Sequence, residues 1–212
     1  YTTLFRSKEN LESIFRDLRN YLDEMDKLRE KILPIQRLAV RQCSEIIKRI
    51  HRKEFTSLMD DISAVKARLA EIKHLITEAN ADLTKDYVQI VQQELGEAII
   101  LYYVVVKDQF PSLEDCSIDL PSYAYALCDA IGEIRRYVLH CIQNEDQLNA
   151  QRGLDYMEEI YSQLFTLDYP SGLIPGLRNK VDQARNIIAK TEGDVALSMN
   201  LLKLNANLKK NQ

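Results

Sequence analysis

Two pairs of carboxylates stand at helical spacing near the middle of the chain: Glu94 with Glu97, and Asp129 with Glu133. In an α-helix, residues three apart lie about 60° apart around the axis and residues four apart about 40°, so each pair shares one face of its helix. Carboxylate oxygens are the ligands that Mg²⁺ and Mn²⁺ prefer. If the two helices lie side by side, the four side chains can hold one or two divalent cations between them.

A cation held in this way supports the hydrolysis of phosphate esters. It turns a bound water into a nucleophile at neutral pH, and it stabilises the charge that develops during an in-line displacement at phosphorus. Two less specific interpretations of the carboxylates stay open. Glu133 has Arg136 three residues later, at the spacing of a helical ion pair, and Glu94 and Glu97 can simply be exposed.

Other catalytic chemistries find little support in the sequence. A di-iron bundle site needs Glu-x-x-His on two helices, and neither carboxylate pair includes a histidine. His140 follows Glu133 by seven residues and can line the same face, but a lone histidine on a helix is more often structural. The chain has only three histidines and no glycine-rich phosphate loop, which argues against a zinc site, a nucleophile triad and a P-loop.

The first carboxylate pair lies in the most apolar stretch of the chain, Val88 to Val106. From Leu95 onward this stretch is apolar on nearly every side, which predicts a central, buried helix. Glu94 falls on the same stripe as Ala98 and Leu101, where an apolar residue is expected. Because a charge on the inner face of a core helix is costly unless it is paired or binds a metal, the two glutamates are candidates for function.

Composition and charge restrict the class of protein. The 212 residues include only 6 glycines and 5 prolines and are rich in helix-forming types, which favours one all-α domain over residues 1–212. The net charge of −4 argues against non-specific coating of nucleic acid. Four cysteines without CxxC spacing, and the lack of a signal peptide or of an apolar run of about 18 residues, predict an intracellular, cytoplasmic protein with reduced thiols and no membrane contact.

The hydrophobic pattern predicts an antiparallel bundle of six to seven long helices. Pro34 interrupts the first helix, so we expect a kink or short break near Leu33. Gly193 can ease the last helix, and the polar tail is expected to fray. Helices of this length leave apolar faces for a neighbouring subunit, which favours an oligomer. The predicted helices cover residues 8–51, 54–80, 83–107, 121–144, 148–167 and 174–204, with a loop over 108–120 and a tail over 205–212.

Two groups of basic residues are candidates for contact with nucleic acid. A cluster at the end of the first helix can either complement the helix dipole in solvent or face phosphate groups. The polar face of the second helix can likewise be solvated or bind a phosphate backbone. The candidates are Lys48, Arg49, Arg52 and Lys53 in the first group, and Lys66, Arg68 and Lys73 in the second.

The carboxylate segments resemble those of the translin superfamily, and its translin-associated factor X branch more than translin itself. Gln93 to Ala98, QELGEA, is similar to the family's Gln-Glu-x-x-Glu-Ala segment. The stretch from Ser122 to Arg136 is similar to its Asp-Tyr-x-x-x-x-x-x-Asp-x-x-Gly-Glu-x-x-Arg segment, with Ser122 in place of the first Asp. Each motif is short, but the two together, in order and on long helices, are fairly specific.

The resemblance implies an all-α fold and a metal-dependent endoribonuclease of low sequence specificity. In members similar to factor X, the matching carboxylates form the catalytic metal site, which implies that role for Glu94, Glu97, Asp129 and Glu133. Translin, the non-catalytic partner, has an aliphatic residue where this chain has Asp129. The family further implies Mg²⁺, with Mn²⁺ as a substitute, an octameric shell that holds RNA inside it, and either self-assembly, as in a prokaryotic homologue, or a translin-like partner subunit.

One departure from the family affects how nucleic acid is held. The translin branch carries a basic, His-containing stretch before the carboxylates of the third helix, whereas residues 83–93 here contain only Lys85 as a base. Two other functions therefore stay open. A scaffold like translin would bind RNA or single-stranded DNA, or an RNA–DNA hybrid, without cutting it. An all-α nucleoside triphosphate pyrophosphatase also uses Glu-x-x-Glu, but its second motif is Glu-x-x-Asp and not Asp-x-x-x-Glu.

Overall fold

The computed structural model of the chain describes residues 2–79 and 84–210, and every regular element in these ranges is helical. The predicted all-α class, with six long helices, is confirmed. A short seventh helix lies between the third and fourth long ones, and the third ends in a π-helical turn, Tyr103–Lys107. The α-helices are α1 (Thr2–His51), α2 (Leu58–Glu78), α3 (Thr84–Tyr102), α4 (Leu113–Cys116), α5 (Leu120–Gln143), α6 (Gln147–Phe165) and α7 (Leu177–Lys210).

Two helices, α3 and α5, form the centre of the bundle. Helix α3 packs against α1, α2 and α5, while α5 packs against α3, α6 and α7. The fully buried side chains of these two helices include Leu95, Ile99, Leu101 and Ile131. The prediction that the third long helix is central and buried is therefore confirmed, and the carboxylate pairs lie on adjacent helices.

A buried amide fixes the register between the two central helices. Gln92 of α3, only 2% exposed, accepts a hydrogen bond from the backbone N–H of Asp119 at 3.0 Å. Its amide nitrogen donates to the Asp119 carboxylate at 2.6 Å. Asp119 is also the N-cap of α5, because it accepts from the backbone N–H of Ser122 at 2.8 Å. The start of α5 is thus joined to the middle of α3.

The expected break near Leu33 is wrong, because α1 runs through Pro34 as one helix of 50 residues. Proline removes one backbone hydrogen bond, a cost that does not end a helix whose neighbouring turns are packed. Ile32 and Ala39, on either side of Pro34, are both fully buried, and the proline itself is exposed. Packing of α1 against α2 and α3 therefore outweighs the lost bond.

Three other element predictions need correction. The second helix begins at Leu58 and not at Glu54, since the chain turns through positive φ angles at Lys53 and Ser57. The predicted loop over 108–120 contains α4, which a capping box at Ser112 starts. The predicted end of the last helix at residue 204 is also wrong, since α7 is helical to Lys210 and passes Gly193 without a break. The predicted helix ends at residues 80 and 83 lie outside the described residues.

Both ends of the bundle carry exposed apolar rows. On α1 these side chains lie at helical spacing in the first half of the helix, and on α7 they lie in its last part. This agrees with the expectation that the long helices leave apolar faces uncovered. None of the described helices combines the length and the apolarity that a membrane crossing requires. The exposed residues are Leu11, Ile14, Phe15, Leu18, Tyr21 and Leu22 on α1, and Leu197, Leu201, Leu204 and Leu208 on α7.

Candidate functional site

A glycine brings the two carboxylate-bearing helices into close contact. Gly96 lies between Glu94 and Glu97 on α3, and a Cβ added to it would stand 2.6 Å from the Cβ of Ala126 on α5. Only a residue without a side chain allows this approach. Asp129 lies one turn after Ala126 along α5, so the close contact places the first carboxylate pair beside the second.

The four carboxylates share one electrostatic environment. Burial, followed by the charges of Glu94, Asp129 and Glu133, raises the pKa of Glu97 from 4.5 to about 8. Burial and then the charge of Asp129 also raise the pKa of Glu94. Each shift means that the neutral acid is favoured, first because burial disfavours the charged form and then because the neighbouring carboxylates repel a further negative charge. The structure therefore brings together the helix faces that carry Glu94, Glu97, Asp129 and Glu133, and the charges of these four residues interact.

Two of the four carboxylates have cationic or histidine partners from distant parts of the chain. The Lys180 ammonium, on α7, forms an ion pair with Asp129 and is the cation that lowers the pKa of Glu94 and Glu97. His51, the last residue of α1, places Nε2 at 2.6 Å from Oε2 of Glu133. The histidine hydrogen bond is the main reason why the pKa of Glu133 lies below its usual value.

Arg136 adds a weaker interaction, with Nη1 at 3.6 Å from the same Glu133 oxygen. This is the helical pair that the sequence allowed as an alternative to a metal site. With Arg136 58% exposed, solvent screens the pair, and the buried His51 contact dominates the environment of Glu133. The presence of the pair does not remove Glu133 from the cluster, because its charge still acts on Glu97.

The donor chemistry of the cluster fits a hard divalent cation. All four groups offer carboxylate oxygens, and burial, followed by the three neighbouring carboxylates, raises the pKa of Glu97 to about 8, which a bound cation would counteract. In the conformation described, however, no three His, Cys, Asp or Glu side chains among residues 2–79 and 84–210 converge closely enough to hold a metal ion. Lys180 is paired with Asp129 and His51 with Glu133, so both carboxylates of α5 already have partners within the chain.

A thiol lies behind the carboxylates without joining their chemistry. Cys43 of α1 is fully buried, and burial together with the charges of Glu94 and Glu97 raises its pKa to about 12. It therefore stays a neutral thiol at physiological pH, whereas metals bind the thiolate. All four cysteines are free and buried, as the prediction of reduced thiols requires.

The structure separates the candidate basic residues into two sets. Four of them are held by the chain itself: Arg49 by Asp61 and the Thr56 carbonyl, Lys66 by the Asp115 carbonyl, Arg68 by the Ala64 carbonyl and Lys73 by Gln92. These contacts hold the four side chains against neighbouring parts of the chain. Lys48 and Arg52 instead line a cavity beside Glu133, and Lys53 is exposed in the turn after α1.

Sequence reasoning missed two partners of the site. His51 was visible only as part of a basic cluster, and Lys180 as one of many lysines on a polar helix face. Each meets its carboxylate across 51 or more residues of chain, so no local spacing reveals it. A usable signal is that two half-buried carboxylates on a core helix need compensating partners.

Comparison with known sequences identifies relatives of this chain. The family model described as Translin family matches residues 8–199. An uncharacterised protein of Methanocaldococcus jannaschii is 34% identical over 198 residues, covering 91% of this chain and 86% of that protein. The translin-associated protein X homolog of Schizosaccharomyces pombe is 24% identical over 203 residues, covering 86% of each.

Solved structures show the same fold. The complex of AfC3PO with duplex RNA superposes with a TM-score of 0.79 at 26% identity, covering 90% of this chain and 98% of that one. Another structure of AfC3PO gives a TM-score of 0.73 at 28% identity, over 88% and 97% of the two chains. The chain belongs to the Translin family.

Proposed function

We propose that this protein is a Mg²⁺-dependent endoribonuclease of low sequence specificity, with Mn²⁺ as a substitute ion. The observation that carries the proposal is the close contact of α3 and α5 at Gly96 and Ala126, which brings Glu94 and Glu97 beside Asp129 and Glu133 in a chain of the Translin family. The raised pKa of Glu97, caused by burial and then by the other three carboxylates, agrees with it. A helical bundle that only had to be stable would not gather four acids at its centre. Such a cluster is typical of a site that gains positive charge when it works.

The chain's own residues have distinct roles in this proposal. Glu94, Glu97, Asp129 and Glu133 hold the metal, which supplies an activated water and stabilises charge on the phosphodiester. Glu97 carries a proton at neutral pH while the site lacks a cation, and it gives up that proton when positive charge arrives. His51 orients Glu133 and keeps it ionised.

The choice of RNA as substrate is supported by the relatives. AfC3PO binds duplex RNA in the solved complex, and the chain matches it over 90% of its length. The polar side chains around the site are basic groups and carboxylates, and no set of them is evidently arranged to contact the edges of bases. This favours recognition of the RNA sugar–phosphate backbone. Single-stranded DNA and RNA–DNA hybrids are further candidate substrates.

Self-association is part of the proposed function. The exposed apolar rows on α1 and α7 are the kind of surface that a second subunit covers. We propose that copies of this chain assemble through these rows, with an octameric shell as the expected form. A translin-like partner subunit is the alternative, and the mass of the purified assembly distinguishes the two.

A second function, an RNA-binding scaffold without catalysis, has one observation in its favour. Lys180 pairs with Asp129 and His51 with Glu133, so half of the cluster is neutralised within the chain. If these pairs persist when RNA and Mg²⁺ are present, the carboxylates are structural. The scaffold then binds RNA in a salt-dependent manner and leaves it intact.

Cleavage of labelled RNA tests the proposal. Single-stranded and duplex substrates are incubated with Mg²⁺, with Mn²⁺ and with EDTA, using the wild type, Asp129→Asn and Glu133→Gln. We expect metal-dependent cleavage that falls about 100-fold or more in both variants, because loss of groups that hold or orient a metal costs at least this much. Glu71→Gln, an exposed glutamate on α2, is the matched control and retains full activity. Equal cleavage by all four proteins would show that Asp129 and Glu133 are not catalytic, and no cleavage by the wild type would leave only the RNA-binding scaffold.

A further inference from the structure

A basic cavity opens directly beside the carboxylate cluster. It has a volume of about 700 Å³ and lies between the end of α1 and the middle of α5. Every charged residue in its lining is basic, although the protein as a whole has a net charge of −4. The lining residues that matter here are Lys48, His51 and Arg52 from α1, and Gly132, Arg135 and Arg136 from α5.

The cations of the cavity are only partly compensated. Lys48 and Arg52 share a single carboxylate, Glu45, at 3.7 and 3.9 Å, and both side chains are more than half exposed. Arg136 reaches Glu133 only at 3.6 Å. These long, exposed contacts are weak, so the three side chains can turn towards an anion in the cavity at little cost.

The fourth cation is held rigidly in the cavity wall. Arg135 donates to the Thr191 hydroxyl at 2.7 Å and to the Asp194 carboxylate at 2.9 Å, both on α7. Thr191 is fully buried, and its hydroxyl donates a hydrogen bond to the Ile187 carbonyl at 2.8 Å. The wall of the cavity is thus a fixed support, while Lys48, Arg52 and Arg136 are adjustable.

A glycine in the wall lacks a packing reason. Gly132 lies in the middle of α5, where glycine costs a helix about 1 kcal/mol relative to alanine. A Cβ added to Gly132 would meet nothing within 4 Å, so no neighbouring atom of the described chain requires the glycine. A bare backbone at this position leaves room for a ligand to approach α5 next to Glu133.

His51 joins the cavity to the carboxylate cluster. Its side chain is only 8% exposed, and Nε2 is committed to Glu133. The other ring nitrogen, Nδ1, is buried and has no hydrogen-bond partner within the described residues. A buried polar atom without a partner is costly unless water or a ligand satisfies it, which is a second sign that the cavity is made to be occupied.

We propose that this cavity binds a phosphate group of the RNA backbone adjacent to the one that is cut, an inference that rests on the proposed function. Arg52, Arg136 and Lys48 contact the phosphate, and Gly132 lets the sugar–phosphate chain lie against α5. The cavity directs the chain so that the next phosphodiester reaches the carboxylates. Since the contacts are to phosphate, the subsite binds RNA of any sequence.

Binding without metal tests the cavity independently of cleavage. The affinity of the full-length protein for a labelled single-stranded RNA is measured in EDTA over a series of salt concentrations. The double variant Arg52→Gln/Arg136→Gln should bind at least about tenfold more weakly. The slope of log affinity against log salt concentration should also become shallower, by the amount that about one to two lost phosphate contacts cause. The control double variant, Arg178→Gln/Arg185→Gln, removes the same charge from exposed positions on α7 and should bind like the wild type.

A second variant tests the role of the bare backbone. Gly132→Ala should raise the melting temperature, because alanine favours helix and meets no clash, and yet weaken RNA binding several-fold. If Gly132→Ala binds RNA like the wild type, the backbone approach is wrong. If the Arg52/Arg136 variant and its control bind RNA equally, the subsite is overturned altogether.

The two proposals fail in different ways. Weakened binding by the cavity variants, together with no cleavage by the wild type in Mg²⁺, would leave the phosphate subsite standing and remove the nuclease. If the wild type cleaves RNA in a metal-dependent manner, and the cavity variants have the same KM and the same RNA affinity as the wild type, the nuclease stands and the phosphate subsite is removed.

Discussion

His51 Nε2 lies 2.6 Å from Oε2 of Glu133, and this contact connects the C-terminal end of a 50-residue helix to the centre of the carboxylate cluster. The hydrogen bond and the charge of His51 keep the pKa of Glu133 low despite burial. Glu133 is thereby ionised and oriented before any ligand arrives. The neighbouring Glu97, which lacks such a partner, has its pKa raised to about 8 instead.

Replacement of His51 should disturb catalysis through Glu133. In His51→Ala the hydrogen bond that lowers the pKa of Glu133 is lost while burial remains, so this pKa rises. We expect cleavage to fall by about 10- to 100-fold, the usual cost of removing a group that orients a metal ligand. The acidic limb of the pH–rate profile should move to higher pH, a shift that a purely structural role would not produce.

An exposed His–Glu pair on α2 provides the control for this experiment. His74 Nε2 lies 3.3 Å from Glu78, and both side chains are more than 60% exposed. His74→Ala should leave the rate and the pH profile unchanged. An unshifted pH profile in His51→Ala would contradict the orienting role of His51.

The pH dependence of stability offers a test at Glu97. Its pKa is about 8 in the folded protein against 4.5 for an ordinary carboxyl, so it contributes stability that is complete below pH 4.5 and is lost as pH rises to about 8. Glu97→Gln stays neutral throughout. In EDTA the variant should match the wild type near pH 4.5 and exceed it above pH 8 by roughly 2–4 kcal/mol, a value that allows for partial solvent screening.

Urea unfolding at several pH values measures this difference. The same variant should lose at least about tenfold in Mn²⁺ affinity, because a ligand is removed. Glu71→Gln should show neither effect. A variant that gains no stability at high pH would mean that Glu97 is not surrounded by uncompensated charge.

Lys180 is expected to compete with metal for Asp129. Lys180→Gln removes the ammonium from the ion pair, so the apparent affinity for Mg²⁺ should rise several-fold when measured by calorimetry. Without metal, the pKa values of Glu94 and Glu97 should rise further, since Lys180 is the cation that lowers both. Lys190→Gln, an exposed lysine on the same helix, serves as the control. Unchanged Mg²⁺ affinity in Lys180→Gln would show that the ammonium does not compete.

The close contact of α3 with α5 should be sensitive to a single methyl group. In Gly96→Ala the new Cβ stands 2.6 Å from that of Ala126, so the helices must separate. We expect a loss of about 1–3 kcal/mol in stability, as in other overpacked cores, and weaker metal binding. Gly96→Ala/Ala126→Gly removes the clash with Ala126 and should recover most of the metal affinity, because the other close atom, Ile118 Cδ1 at 2.8 Å, is the end of a flexible side chain that can move. Failure of this rescue would mean that the helix spacing does not set the site.

The helix faces that carry the four carboxylates could be predicted because helical spacing is local. Spacings of three and four residues put each pair on one helix face, and the tight junction at Gly96 then places the two faces together. Lys180 and His51 could not be assigned in the same way. Their contacts cross 51 and 82 residues and depend on how the ends of α1 and α7 pack, which no local pattern specifies.

The presence of each long helix could be predicted from hydrophobic periodicity, but its first and last residues could not. Pro34 shows the limit, because its local preference to break a helix is outweighed by the burial of Ile32 and Ala39. The start of α2 shows a second limit. The backbone is left-handed at Lys53 and Ser57, and neither position is a glycine, the residue that would have indicated this conformation in the sequence. Propensity gives the element, and tertiary packing decides where it begins and ends.

The central claim is that Glu94, Glu97, Asp129 and Glu133 hold a divalent cation between α3 and α5. Anomalous diffraction from crystals soaked in Mn²⁺ tests it most directly, with Asp129→Asn crystals as the control. We predict a peak bounded by these four side chains in the wild type, with Lys180 turned away from Asp129, and a much weaker peak in the variant. A wild type that keeps the Lys180–Asp129 pair and shows no Mn²⁺ among the four carboxylates would contradict the account.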